Sequence, residues 1–181
     1  MKKTLIITLE YPPTVGGIAT YVDQLAISLD PAAVVILAPP HKESHVFDKA
    51  RPFRIYRSSF LFGGLFWPRW IKLFFVVKDI VKKEGIEMIH VHHILPVGYV
   101  ALLIKKLYKI PYLIFSHGTD IASLAAVKRK KEFALRVSHS SEQIITNSHN
   151  LKERLLTVFP SLADKTRVLY PCPTREFSLP I

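Results

Sequence analysis

Apolar and polar positions alternate along this chain with two periods, and the switching between them lays out the fold. Thr4 to Leu9 is a near-continuous apolar run, the mark of a strand covered on both faces. Past the turn Glu10 to Gly17, the positions Ile18, Tyr21, Val22, Leu25, Ala26 and Leu29 recur at helical spacing. Val34 to Leu37 and Phe53 to Arg57 read as further strands. Pro68 opens a helix whose apolar face carries Trp70, Leu73, Phe74, Val77, Ile80 and Val81. Arg69, Lys72, Asp79 and Lys83 lie opposite, and Gly85 ends it. Met88 to Val91 is a strand, Pro96 to Tyr108 a helix, and Tyr112 to Phe115 a strand opened by Pro111. Lys130 to Val137 is helical in pattern and Gln143 to Thr146 is a strand. Leu151 to Val158 is a helix with Ser148 as N-cap, and Arg167 to Tyr170 is a last strand. Strands alternating with helices predict an α/β domain built on a doubly wound parallel sheet, its functional loops gathered at the carboxyl edge. Pro39 to Gly64 is the one stretch in which we expect irregular structure.

Composition narrows the class. The 181 residues suit one domain with a real core. The longest uncharged run, Met88 to Ile104, is too short and too rich in histidine to span a membrane. Lys2 and Lys3 precede an apolar run that meets Glu10 without a small-residue cleavage site, so no secretory signal is expected. The single cysteine, Cys172, excludes an internal disulfide and suits a reducing cytosol. The net charge of +11 favours anionic partners: nucleic acid, an anionic membrane or a phosphorylated substrate. No zinc-finger spacing, RNP-like aromatic motif or helix-turn-helix accompanies that charge, and nucleic acid is not expected as a partner.

Six places could carry chemistry. Adjacent Gly16 and Gly17 precede a helix, where residues without a Cβ let backbone amides approach an anion. A plain tight turn explains them equally well. His90, His92 and His93 end a strand. Without an acidic or cysteine neighbour in sequence they read as hydrogen-bonded strand-end side chains, and no metal site is expected. Ser116-His117-Gly118-Thr119-Asp120 follows another strand, so His117 either enters a crevice or merely caps the strand, with Asp120 capping the next helix. Asn147 and Ser148 occupy the same position after Gln143 to Thr146, and Ser148 is explained by capping. Last, Phe60 to Lys83 mixes aromatic residues with lysines, and Lys128-Arg129-Lys130-Lys131 is a dense cationic run. Both suit a lipid headgroup boundary as well as a solvated helix face.

Taken together, Tyr11-Pro12-Pro13 through Gly16-Gly17-Ile18 to Tyr21-Val22, then Ile89-His90-Val91-His92-His93, Gly98 and Lys109-Ile110-Pro111 are similar to one family. His117-Gly118-Thr119-Asp120 and Ile144-Ile145-Thr146-Asn147-Ser148 extend the likeness. The chain resembles the amino-terminal half of the family 4 retaining glycosyltransferases of two-domain GT-B type. Residues 1–181 would then form the acceptor-side Rossmann-like domain and end near the inter-domain hinge, with the donor-binding domain absent. The resemblance implies transfer from a nucleotide-sugar donor, held mainly by the other domain, to a glycan or lipid-linked acceptor, with neither metal nor cofactor. Gly16 and Gly17 would line the cleft near the donor diphosphate and His117 would reach the donor sugar as the catalytic residue. Tyr21, His92, Asp120, Asn147 and Ser148 would complete the substrate-binding side. The family's paired glutamates belong to the other domain, and no two glutamates here have their spacing. Where the family often has Asn-Gly near the hinge, this chain has Cys172-Pro173. The expected location is the cytoplasm, with contact at the inner face of the membrane left open. A non-catalytic module binding a phosphorylated ligand and a GT-B-like UDP-sugar epimerase are the alternatives.

Overall fold

The computed structural model describes residues 1–60, 70–118, 121 and 127–171. Seven parallel strands form one sheet in the order β3-β2-β1-β4-β5-β6-β7. The strands are β1 (Thr4–Ile7), β2 (Val34–Ala38), β3 (Arg54–Arg57), β4 (Met88–Val91), β5 (Tyr112–Ser116), β6 (Ile144–Thr146) and β7 (Thr166–Val168). The helices, in chain order, are α1 (Gly17–Ser28), α2 (Ser44–Lys49), α3 (Ile71–Glu84), α4 (Val97–Tyr108), α5 (Lys128–Ser140) and α6 (His149–Val158). The expected doubly wound parallel sheet is therefore present.

Burial explains the unbroken apolar character of β1. Leu5 and Ile7 face a core completed by Leu73 and Val77 of α3, Val97, Val100 and Ile104 of α4, Val137 of α5 and Leu155 of α6. Ile6 points the opposite way, into a smaller core with Tyr21, Val22 and Ala26 of α1 and Phe115 of β5. A strand buried on both faces cannot afford a polar alternation.

Two left-handed residues end helices where the sequence pattern stops. Gly85 closes α3 with φ 64° and Lys109 closes α4 with φ 61°. Ser148 caps α6 as expected, its Oγ accepting from the Leu151 amide at 3.2 Å. The stretch Pro39 to Gly64 departs from its expected irregularity, because α2 lies within it. None of the residues of α2 is buried, so no apolar stripe announced it. Pro68, expected to start α3, lies outside the described residues.

The sheet order reverses between β1 and β4. The chain leaves β1 towards β2 and β3, then crosses back to β4 on the other side. In such sheets ligands sit outside the carboxyl ends of the strands at that switch point. The His92 amide donates to the Ile7 carbonyl there (3.0 Å), so the histidine segment leaves the sheet beside the end of β1.

Candidate active site

A cleft of about 660 Å³ opens at the switch point, lined by Glu10, Gly17, Tyr21, Gln24, His117 and Asn147 among others. Each of these residues is set by a local cause. The Thr8 hydroxyl accepts from the Glu10 amide and donates to the Glu10 carbonyl, folding the chain sharply after β1. Tyr11 then turns inward and donates to Asp23 of α1 (2.8 Å), while the Arg51 guanidinium grips the same carboxylate through two nitrogens. Arg57 donates to the Pro12 carbonyl and to Asp48. These contacts anchor the loop that delivers α1, whose amino terminus faces the cleft at Gly17.

The two glycines differ from their simplest reading. A Cβ on Gly17 would meet nothing within 4 Å, and one on Gly16 would meet only the Glu10 carboxylate at 3.4 Å, an ordinary contact. No close protein packing among the described residues calls for glycine at either position. The free space beside Gly17 belongs to the cleft, and the helix end there has no side-chain cap and carries a partial positive charge. Gly118 is different: its φ is +93° and a Cβ would lie 3.0 Å from Leu151, so only glycine fits comfortably behind His117.

His117 stands at the end of β5 with the Tyr21 ring edge-on to it, centroids 5.2 Å apart. Behind it lies His92, 0% exposed, stacked on Phe115 with centroids 4.6 Å apart and planes 10° from parallel. Nδ1 of His92 and Nε2 of His117 share a hydrogen bond of 3.0 Å. Burial, helped by the neighbouring His93, pushes His117 down to about 4. Burial pushes His92 well below the usual histidine range, with His117, His90 and His93 adding to the effect. Both rings are neutral at physiological pH, and the site can donate or accept a proton in a hydrogen bond without bringing a cation.

The residues singled out from the sequence therefore separate. His117, Gly17, Tyr21 and Asn147 line one cleft. Gly16 sits one residue back as the N-cap of α1. His92 lies behind His117, out of contact with solvent. Ser148 spends its hydroxyl on capping α6 and lies beside the Asn147 amide. Asp120 lies outside the described residues. Among the described residues no three histidine, cysteine or acidic side chains are grouped to hold a metal. Sequence reasoning did not single out Glu10 or Gln24. For Glu10 a signal existed, since it is the carboxylate that interrupts the first apolar run at the carboxyl end of β1.

A second concavity, about 290 Å³, lies between helices α3, α4 and α5 and brings the two basic-aromatic features together. Trp70 packs edge-on to Tyr99 (4.7 Å) and Tyr99 to Phe133 (5.9 Å), with Arg129 and Lys130 on the rim. Leu73, Val77, Ile80 and Val81 of α3 are spent on the core. Among the described residues of the two features, the exposed aromatic side chains are thus Phe75 and Phe133, with Trp70 half-buried, rather than the whole stripe. Phe62, Phe66, Trp67 and Arg69 lie outside the described residues. Among the described residues no helix is long and apolar enough to cross a membrane.

Several known proteins are similar to this chain in sequence or fold. The model of Glycosyltransferase Family 4 matches residues 15–172. An uncharacterised glycosyltransferase of Methanocaldococcus jannaschii is 29% identical over 145 residues, which is 80% of this chain and 40% of the relative. A GDP-mannose-dependent monoacylated phosphatidylinositol monomannoside mannosyltransferase of Corynebacterium glutamicum is 24% identical over 66% of this chain and 31% of its own length. Among solved structures, Anabaena HepE in complex with UDP and glucose superposes with a TM-score of 0.70 at 13% identity, covering 94% of this chain and 45% of that one. The chain spans less than half the length of these relatives.

Proposed function

The chain belongs to Glycosyltransferase Family 4, and from that membership we propose that it is the acceptor-side domain of a retaining glycosyltransferase taking its sugar from a nucleotide-sugar donor. The observation that carries this reading is the convergence, in one cleft at the switch point of the sheet, of the open helix end at Gly17 with the neutral ring of His117. A diphosphate is stabilised by the partial positive charge and amides of a helix amino terminus. A neutral imidazole nearby offers a hydrogen bond to a sugar hydroxyl while keeping a competing cation away from the phosphate. Asn147 and Glu10 supply further hydrogen-bonding groups on the same wall. The domain that grips the nucleotide is, in this reading, the remainder of the longer protein.

The acceptor we propose is lipid-linked. The aromatic groove at Trp70, Tyr99 and Phe133, rimmed by Arg129 and Lys130, pairs an apolar floor with cations, the combination met at a headgroup boundary. The corynebacterial relative, whose acceptor is a phosphatidylinositol mannoside, supports the same class. In this reading the enzyme works at the cytoplasmic face of the membrane.

The test is to incubate the complete protein with a panel of nucleotide sugars and a lipid extract, and to read the anomeric configuration of any product by NMR. Transfer with retained configuration supports the proposal. Conversion of the free nucleotide sugar without transfer marks an epimerase instead, and ligand binding without turnover marks a non-catalytic module.

A further inference from the structure

We propose that His92 is a positioning residue for His117: it holds Nε2 of His117 from behind and leaves a protonated Nδ1 as the edge offered to substrate. The inference rests on reading His117 as a cleft-side hydrogen-bond donor, and its test separates the two.

The geometry leaves His92 no other task. It is completely buried, so no substrate touches it, yet its ring makes one polar contact among the described residues, the 3.0 Å bond to His117. The two rings lie within 14° of parallel with centroids 5.3 Å apart, so that bond runs edge to edge. Phe115 lies flat against one face of His92 at 4.6 Å, and the Tyr21 ring meets both His92 and His117 edge-on. An apolar histidine substitute could fill this space, but it could not direct a neighbouring nitrogen.

The placement of the proton follows from the buried ends of the bond. The pair has one shared proton, since burial keeps both rings neutral. Were His117 the donor, His92 would carry its own proton on Nε2. That atom is buried and has no hydrogen-bond partner among the described residues. An orphaned buried donor costs on the order of 1–3 kcal/mol. Buried N–H groups without partners are rarer than under-satisfied acceptors. With His92 donating from Nδ1, its Nε2 is a bare lone pair, Nε2 of His117 accepts, and the proton of His117 sits on Nδ1. A free imidazole side chain in water prefers its proton on Nε2, so His92 reverses the default tautomer. The wrong tautomer of a well-placed histidine is a poor catalyst even with intact geometry.

The experiment uses the complete protein, isotopically labelled at its histidine nitrogens, with the His117 signals identified by their loss in His117→Ala. Two-dimensional NMR reads directly which ring nitrogen carries hydrogen. The wild type is expected to show His117 protonated on Nδ1. His92→Phe keeps the stack on Phe115 but removes the donor; His117 should then move to the Nε2–H form, and kcat should fall about 10-fold, the lower range for an orienting partner. The donor KM should change by less than about two-fold, because the loss falls on the transition state. His92→Asn, whose amide donates from the place of Nδ1, should restore both tautomer and turnover. A wild-type His117 carrying its proton on Nε2 overturns the inference without recourse to any variant. So does an unchanged tautomer in folded His92→Phe. If the tautomer follows His92 while His117→Ala leaves turnover intact, the positioning holds and the assignment of His117 to the sugar fails.

Discussion

His90 makes the fold sensitive to mild acid. It lies in β4, paired in register with Ile6 on β1 and Leu113 on β5. Its ring leans on Phe115, centroids 5.2 Å apart, and its Nδ1 is buried without a hydrogen-bond partner among the described residues. Burial alone pushes it down to about 4 from the usual 6.5. A depressed histidine contributes its full stability above the unfolded value and loses it as pH falls towards the folded one. Each pH unit in that window costs about 1.4 kcal/mol. Moving from pH 7 to pH 5 therefore removes about 2 kcal/mol through His90 alone, a sizeable part of the 5–15 kcal/mol typical of a folded protein. His92 and His117 titrate in the same sense and steepen the fall. The assay is urea unfolding at pH 7 and pH 5, followed by pulsed hydrogen exchange on a peptide covering Met88–Val91, so that only this domain is read. His90→Phe should lose about 2 kcal/mol less than the wild type between the two pH values. Equal acid sensitivity in both proteins would refute the reasoning.

If donor recognition belongs to a further domain, as proposed, the isolated 181-residue chain transfers no sugar; product above the level of its own His117→Ala variant would contradict this. Gly98→Ala should destabilise by about 1–3 kcal/mol, since its Cβ would sit 2.8 Å from Val137 and 3.6 Å from the His93 carbonyl where α4 crosses α5. An unchanged urea midpoint would show that the two helices separate freely. Binding to anionic liposomes should fall steeply as salt rises, because exposed charges are screened beyond about 8 Å at physiological ionic strength. Charge reversal at Lys128, Arg129, Lys130 and Lys131 should abolish that binding, whereas equal and negligible sedimentation with neutral and anionic vesicles would reject the membrane proposal.

Much of this was legible in the sequence, for identifiable reasons. β1 announced itself because both its faces are buried, and the ends of α3 and α6 because Gly85 and Ser148 do local chemistry that only certain residues can do. α2 was invisible, being six residues with no buried side chain. Placing His117 and Asn147 at one cleft needed only the rule that parallel strands end on the same edge. The pairing of His92 with His117 was out of reach, since the two residues lie 25 positions apart, each just past the end of one of two adjacent strands. Only register and ring orientation, neither of which leaves a periodic trace, separate a histidine facing the cleft from one supporting it from behind. The two glycines show the converse. Their spacing was plain, but their use became readable only when the space beside Gly17 proved to be cleft rather than packed protein.

The most direct test of the account is turnover by the complete protein carrying His117→Ala, measured with the nucleotide sugar that supports transfer by the wild type. Removing one positioned polar group from an active site commonly costs about 2.7–4 kcal/mol of barrier, a loss of roughly 100-fold or more in kcat. A loss of that size is expected, with an unchanged circular dichroism spectrum and urea midpoint. Turnover within a few-fold of the wild type would leave His117 as a strand cap and move the chemistry elsewhere.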